Sequence, residues 1–360
     1  MSGGVDSSVA AALLLRQGFE VVGVTLHLWD YPDDDSVRGR CCAPEDVHDA
    51  RRVADVLGFP HFAFDRRELF RTEVVEPFVD GYLGGVTPSP CVRCNRGVKM
   101  RELLGLANRL GAAQIATGHY ARIVQEGGMA RLYRGRDPKK DQSYFLHMLP
   151  QEILSRLVFP LGEATKAEVR QEALNLDLPG AQKGESQELC FVPTGRYDAF
   201  VAERAGDRLR PGTLVDAAGQ SVGEHAGTHG YTVGQRHNLG VALGYRAYVV
   251  AVEPEQGIVR LGRREQLLSS GAKLAEAVLS DDFALPGEAE VAVRYSPHTV
   301  PCQVSRTLEG ALQVTFKEPL ASVVPGQYAV FYRGERVLGG GLIVESVPVS
   351  NAREPVESLS

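Results

Sequence analysis

The sequence predicts an α/β protein: an open, largely parallel sheet with helices over residues 1–199, followed by two small β-rich modules at 200–271 and 272–350. Two observations carry this reading. Helix-like and strand-like stretches alternate through the first half, and past residue 200 the texture changes to short apolar runs punctuated by glycine. A polar stretch, 351–360, reads as a loose tail.

The elements follow in order. Residues 9–15 are good helix material ending at Gly18, and EVVGVTLHL (20–28) is a β-branched apolar run of strand length. Pro44, Glu45 and Asp46 open a helix that Gly58 closes, a start and stop with separate physical causes. Residues 61–64 predict a short strand, 96–110 a helix closed by Gly111, and 114–117 another strand. Strands separated by helices of ten to fifteen residues imply parallel pairing. In the second half, RAYVVAVEPEQGIVRLG (246–262), AEVAVRYS, PCQVSRT, ALQVTF and YAVFYRGERVLGGGLIVE supply the short strands.

Composition sets limits on function. With 360 residues, 44% of them hydrophobic, the chain can bury sizeable cores in more than one domain. The balance of 39 Lys+Arg against 45 Asp+Glu gives a net charge of -6, so a nucleic acid must be held by local basic patches. No apolar run of about 18 residues predicts a membrane span, and MSGGVDSSVA lacks the basic and apolar regions of a secretory signal. A cytoplasmic protein is expected. The six cysteines (Cys41, Cys42, Cys91, Cys94, Cys190, Cys302) are too few and too unevenly spread for a disulfide framework, and in a reducing compartment clustered thiols point to chemistry or metal.

The loop Ser2-Gly3-Gly4-Val5-Asp6-Ser7-Ser8 stands directly before a helix. Unpaired N–H groups and the positive helix end converge there, so it is an anion site. Paired glycines admit phosphate oxygens close to the backbone, serine hydroxyls donate, and Asp6 can orient Mg²⁺ or the loop itself. No GxxxxGK[ST] occurs, which excludes a Walker A loop. SGGxDS followed by a helix resembles the PP-loop of ATP pyrophosphatases, which implies a Rossmann-like domain that cleaves ATP between the α and β phosphates.

Thr87-Pro88-Ser89-Pro90-Cys91-Val92-Arg93-Cys94-Asn95 ends a loop stiffened by prolines, with Asn95 the expected N-cap of the next helix. Arg93, Arg96 and Lys99 beside Cys94 are expected to raise its thiolate fraction above that of a free thiol. A CxxC serves a redox pair, half a zinc site or part of an iron–sulfur site, and no second CxxC completes a zinc ribbon. Cys190, in GESQELCF (184–191), reads by itself as a buried structural thiol.

Six motifs in order extend along nearly the whole chain: SGGVDSS, TPSPCVRCN, ATGHYAR (116–122), KKDQSYFLH (139–147), SQELCF (186–191) and GQRHNLG (234–240). Together they closely resemble the bacterial tRNA-specific 2-thiouridylases. The resemblance implies an ATP-dependent sulfurtransferase acting at the wobble uridine of tRNAs for Lys, Glu and Gln, with the last module a β-barrel. It implies ATP at Ser2, Gly3, Gly4, Val5, Asp6, Ser7 and Gly118, with Leu26 on the adenine and Mg²⁺ as companion ion. Cys94 is then the nucleophilic thiol and Cys190 the carrier of persulfide sulfur from a donor such as a cysteine desulfurase or a relay protein; Cys41, Cys42 and Cys302 are left structural or incidental. The implied tRNA contacts are Lys140, Asp141, Gln142, Arg294, Tyr295 and Gln327, with Ser89, Pro90 and Cys91 against the target base and His119 at the junction of ATP and tRNA. An exposed anticodon base suits such chemistry.

The chain departs from the family in two ways. Cys91 and Ser89 stand where many members carry Asp and Asn, so Cys91, Cys94 and Cys190 can alternatively be read as ligands of a [4Fe–4S] cluster whose open iron binds sulfide. Members also carry a hydrophobic strand before the phosphate loop, where here one residue precedes Ser2; a start site assigned too late is expected, the alternative being a missing first strand. Arg131, Arg134, Arg136, Lys139 and Lys140, with Tyr133 and Tyr144, form one basic stretch, and Arg93, Arg96, Lys99 and Arg101 another; by themselves such charges are usually a solvated surface. Two rival functions remain. A PP-loop ligase without sulfur chemistry leaves Cys94 and Cys190 unused, and a zinc-stabilised tRNA-binding module leaves SGGVDSS unused.

Overall fold

The computed structural model describes residues 1–30, 44–181, 189–192 and 195–349, so Cys41, Cys42 and most of the GESQEL motif lie outside the described residues. The chain divides into two compact units. One comprises Met1–Asp80, Ser89–Arg204 and Tyr332–Gly339, the other Gly81–Pro88, Ala205–Phe331 and Gly340–Ser360.

In the first unit α1 (Val5–Arg16) begins directly at the glycine-rich loop. Its apolar face, Val5, Val9 and Ala10, packs with Tyr120, Leu161, Val169, Ala173 and Leu178, so the loop is seated on a dry core. Strand β1 (Gly23–His27) leads through α2 (Pro44–Leu57) to β2 (His61–Asp65), and the strands pair in parallel from Gly23↔His61 to His27↔Asp65. Met1 lies against β1: its ammonium bonds the Val24 carbonyl, and Thr25 Oγ1 donates to the Met1 carbonyl at 2.8 Å. Helices α3 (Arg67–Phe70) and α4 (Glu76–Leu83) follow, joined by a π-helical turn at Arg71–Val75.

The cysteine motif opens α5 (Pro90–Arg93), which runs through a π-helical turn, Cys94–Lys99, into α6 (Met100–Leu110). Strand β3 (Ile115–Ala116) is followed by the hairpin β4 (Ala121–Glu126) and β5 (Met129–Arg134), by short helices α7 (Ser143–Leu146) and α8 (Gln151–Leu154), and by β6 (Leu157–Val158). β3 and β6 pair in parallel, so the parallel strands stand as two pairs, β1–β2 and β3–β6. Helices α9 (Lys166–Asn175) and α10 (Tyr197–Ala205) complete this unit.

The second unit is mostly β-structure, with short 3₁₀ turns between strands. Strands β7 (Gly212–Val215), β8 (Ser221–His225), β9 (Tyr248–Glu253) and β10 (Ile258–Gly262) form a sheet in the order β8-β7-β10-β9 over Leu214, Leu239, Val249, Val259 and Leu261. Then β11 (Leu268–Leu279), β12 (Gly287–Ala292), β13 (Val300–Arg306), β14 (Leu312–Ala321), β15 (Tyr328–Arg333) and β16 (Arg336–Pro348) pair in the order β11-β14-β13-β12-β15-β16. β11 also pairs with β16, closing a six-stranded barrel without free edges. Cys302 points into its interior opposite Ala289, and burial pushes its thiol up to about 12, as befits a structural cysteine.

Candidate active site

The phosphate loop is built on two close backbone approaches. Gly3 has φ +66°, and a Cβ there would lie 2.5 Å from the Asp46 carbonyl oxygen. Gly4 is the N-cap of α1 and brings no capping side chain, so the first-turn N–H groups are left to a ligand. Ser7 Oγ donates to the Gly4 carbonyl at 3.0 Å and accepts from the Ser2 N–H at 3.1 Å, fixing the loop's curl. Gly118 lies against the far side, where a Cβ would stand 2.9 Å from the Asp6 carbonyl carbon and 3.0 Å from the Ser7 nitrogen. Val5 is buried in the core beneath, and Leu26 sits on β1 in register with Phe64.

Asp6 shows what sequence reasoning missed. Its Oδ1 accepts from the Tyr120 hydroxyl at 2.7 Å, and both oxygens accept from Lys166 Nζ at 2.7 and 2.8 Å. Lys166 is the first residue of α9, placed by a capping box in which Thr165 and Glu168 bond each other's backbone N–H. The T-K-A-E string that makes this cap is legible in the sequence, but nothing in it says that the helix start faces a loop 160 residues earlier.

The cysteine motif corrects two expectations. The N-cap is Ser89, with Pro90 the first helical residue, and Asn95 lies inside the π-helical turn, where its Nδ2 donates to the Phe145 carbonyl at 3.4 Å. Proline at the first helical position moves the start of the helix forward of the polar residue that resembled a cap. The expected gain in thiolate is overturned as well. Burial pushes the Cys91 thiol up to about 11 and also raises Cys94, and Lys99 opposes this without cancelling it. Arg96 acts instead on His147. Lys99 also acts on His119, whose pKa burial lowers to about 3, so His119 is neutral at pH 7. One ammonium thus influences Cys91, Cys94 and His119 together. His119 Nδ1 pairs with Thr117 Oγ1 at 2.8 Å, between Gly118 against the loop and Tyr120 on Asp6.

Cys190 is half-buried in a turn closed by the Val192 N–H on the Leu189 carbonyl at 3.0 Å. None of Cys91, Cys94, Cys190 and Cys302 is paired in a disulfide. Among the described residues no three His, Cys, Asp or Glu side chains gather as metal ligands.

The basic stretch is mostly spoken for. Arg134 binds Asp141 Oδ2 at 2.9 Å and stacks 3.7 Å from the Tyr332 ring centroid, and Arg136 binds Glu168 and the Glu163 carbonyl. Tyr144 is buried, and the Tyr133 hydroxyl bonds Glu126. The Asp141 carboxylate is buried and also accepts from the Gly135 and Ser143 N–H groups at 3.0 Å each, so it shapes the loop from within. Gln142 Oε1 accepts from the Tyr120 N–H at 3.0 Å, and its own N–H reaches the Tyr120 carbonyl at 2.8 Å. The hydrogen-bonded path therefore runs from Asp6 through Tyr120 to Gln142. Lys139 is exposed and Lys140 half-buried at the tip of this loop.

Arg294, Tyr295 and Gln327 belong to the second unit. Arg294 and Tyr295 follow β12 and are exposed. Gln327 Nε2 donates to the Thr87 carbonyl at 2.8 Å, within the same unit. No helix among the described residues is long and apolar enough to cross a membrane.

Comparisons with known proteins agree with this anatomy. Residues 1–194 match the family described as tRNA methyl transferase HUP domain, 198–263 the tRNA methyl transferase PRC-barrel domain, and 273–343 the aminomethyltransferase beta-barrel domain. The chain is 62% identical over 348 residues to the tRNA-specific 2-thiouridylase MnmA of Sorangium cellulosum, covering 95% of this chain and 90% of that protein. It is 48% identical to the protein of the same name from Geobacter metallireducens, over 95% of each chain, and 47% identical to that of Heliobacterium modesticaldum, over 96% and 92%. Identity of this degree along nearly the full length of both partners places the chain in the tRNA-specific 2-thiouridylase family.

Proposed function

We propose that this protein replaces the carbon-2 oxygen of the wobble uridine in tRNAs for Lys, Glu and Gln with sulfur, at the expense of ATP. The observation that carries the proposal is the loop itself: an uncapped helix start with Gly3 and Gly118 required by close backbone approach, in the same unit as the reduced thiols Cys94 and Cys190. The phosphates of ATP meet the first-turn N–H groups of α1 together with Ser2 and Ser7. Lys166, now held on Asp6, is the ammonium available to them, and Mg²⁺ arriving with ATP neutralises phosphate charge. Asp6 is the carboxylate to receive that ion, which requires Lys166 to turn from Asp6 to phosphate.

The carbonyl oxygen of the uridine attacks the α-phosphorus, pyrophosphate leaves, and AMP becomes the leaving group on carbon 2. Sulfur follows from Cys190. The terminal sulfur of a Cys190 persulfide attacks carbon 2 and AMP departs, leaving a disulfide between the base and Cys190. The Cys94 thiolate then attacks the Cys190 sulfur, the 2-thio group leaves with the electron pair, and a Cys94–Cys190 disulfide remains for an external thiol to reduce. A sulfur-donor protein such as a cysteine desulfurase or relay reloads Cys190. Because burial raises the Cys94 pKa, its ionisation must accompany substrate binding, and His119, lowered to about 3, is too weak a base to take its proton.

Cys91 favours a second reading, since it adds a third thiol where many relatives carry Asp. No step above runs through a cluster. Iron and sulfide analysis after anaerobic purification separates the two: stoichiometric iron supports the cluster, whereas aerobic metal-free protein that thiolates tRNA with a desulfurase supports the persulfide. The proposal as a whole is tested by incubating the protein with tRNA, ATP, cysteine and a desulfurase and digesting the tRNA for mass spectrometry. ATP-dependent 2-thiouridine is expected, and its absence from tRNAs for Lys, Glu and Gln alike would remove the reading.

A further inference from the structure

We propose that Phe191 is a positioning residue for sulfur transfer, seated in an aromatic box that fixes where Cys190 stands; this rests on the reading of Cys190 as the sulfur carrier. Cys94 is held by a helix, but Cys190 belongs to no regular element, only to the tight turn 189–192. What the turn is fastened to therefore contributes to its placement. The two residues after it are driven inward, Phe191 and Val192 each only 1% exposed, while Cys190 itself stays half-buried.

Phe191 meets four rings from four parts of the first unit. Phe78 on α4 stands edge-on at 5.1 Å between centroids with an interplanar angle of 89°, Phe200 on α10 at 5.3 Å, Phe70 at the end of α3 at 5.7 Å, and Trp29 just past β1 at 6.2 Å. Edge-to-face packing at these distances is directional, unlike aliphatic burial, and fixes the ring's orientation as well as its depth. The box is closed outside by Arg204, whose guanidinium lies 3.7 Å from the Phe200 centroid and 5.3 Å from that of Trp29. Consecutive Cα atoms are about 3.8 Å apart, so a ring locked at 191 leaves Cys190 little room to wander.

The consequence is specific to sulfur delivery. Adenylation of the uridine uses the phosphate loop and has no need of Cys190, whereas transfer needs its outer sulfur at carbon 2. If Cys190 is misplaced, the adenylated base waits and water takes the sulfur's place: hydroxide attacks carbon 2, AMP leaves, and uridine is regenerated. Loosening the box should uncouple the reaction, so that pyrophosphate is released without matching 2-thiouridine.

The test uses the full-length protein with tRNA, ATP, and cysteine with a desulfurase as sulfur source, measuring 2-thiouridine formed per pyrophosphate released. Phe191→Leu keeps apolar bulk and loses edge-to-face packing, and Phe191→Ala empties the seat. The ratio is expected to fall at least about threefold for Leu and tenfold for Ala, with pyrophosphate release within about twofold of the parent and Phe191→Tyr restoring most of the ratio. An unchanged ratio in both variants overturns the proposal. So does a fall in both products in step with loss of folded protein, which is the signature of a merely structural phenylalanine. Undiminished thiolation by Cys190→Ser is a different result, removing the carrier reading rather than the role of Phe191.

Discussion

Asp6 holds Lys166 and Tyr120 at once, so at the scale of single residues it governs both the charge and the shape of the phosphate loop. Asp6→Ala is expected to abolish tRNA-dependent pyrophosphate release, measured by a coupled phosphate assay, while tRNA binding by filter retention changes less than about twofold; undiminished release would remove the pyrophosphatase assignment. The thiols yield a pH prediction. Cys91 near 11 and Cys94 raised above its ordinary value are protonated at pH 7, so alkylation of Cys91 in the free protein should climb about tenfold per pH unit through pH 10, without the plateau of an ordinary thiol near 8.5–9. The sign for stability follows: a thiol raised on folding contributes fully below its ordinary pKa and loses that contribution as pH rises from about 9 toward 11. Mass-spectrometric labelling rates across pH check the first, and melting temperatures at pH 8 and 10.5 the second. The Ser-Gly loop and the cysteine pair were legible because their chemistry is local. The direction of the thiol pKa was not, since the neighbouring cations are visible in sequence and burial is not.

At the scale of elements, the loop and its backing segment act as one piece. Gly118→Ala would press a methyl into the Asp6 carbonyl and the Ser7 nitrogen, an overpacking that costs about 1–3 kcal/mol. ATP affinity is expected to fall about tenfold or more, and calorimetric titration showing unchanged affinity would contradict the geometry. Lys140 lies at the tip of the loop whose next residues, Asp141 and Gln142, are turned inward to Arg134 and Tyr120. Lys140→Ala should therefore weaken tRNA binding and lower the slope of log affinity against log salt by about one, while sparing ATP binding. Unchanged affinity at every salt concentration would return this stretch to a solvated surface. Helices closed by Gly18, Gly58 and Gly111, and the strands β1 and β2, were readable from periodicity and stop residues. The π-helical turn at Cys94–Lys99 was not, because its cause is tertiary packing, including the Asn95 bond to Phe145, and no local pattern announces it.

At the scale of the molecule, the first unit carries the phosphate loop, the three thiols and the Lys140 loop, and the second carries the four-stranded sheet, most of the closed barrel, and Arg294, Tyr295 and Gln327. The change of texture near residue 200 foretold β-rich modules, since short strands separated by glycine are legible one at a time. It could not foretell that Gly81–Pro88, just before the cysteine motif, belongs with the second unit through Gln327 on Thr87, or that Tyr332–Gly339 belongs with the first through Arg336 paired to Tyr133. Such long-range returns of the chain leave no periodic trace. In the proposed reaction one protein activates a tRNA uridine with ATP and delivers sulfur to it through Cys190 and Cys94. The most direct measurement follows pyrophosphate and 2-thiouridine together for the parent, Cys94→Ser and Cys190→Ser, with tRNA, ATP, cysteine and a desulfurase present. Comparable amounts of the two products are expected from the parent, and pyrophosphate without 2-thiouridine from both variants; full 2-thiouridine formation by either serine variant would rule out sulfur delivery through these cysteines.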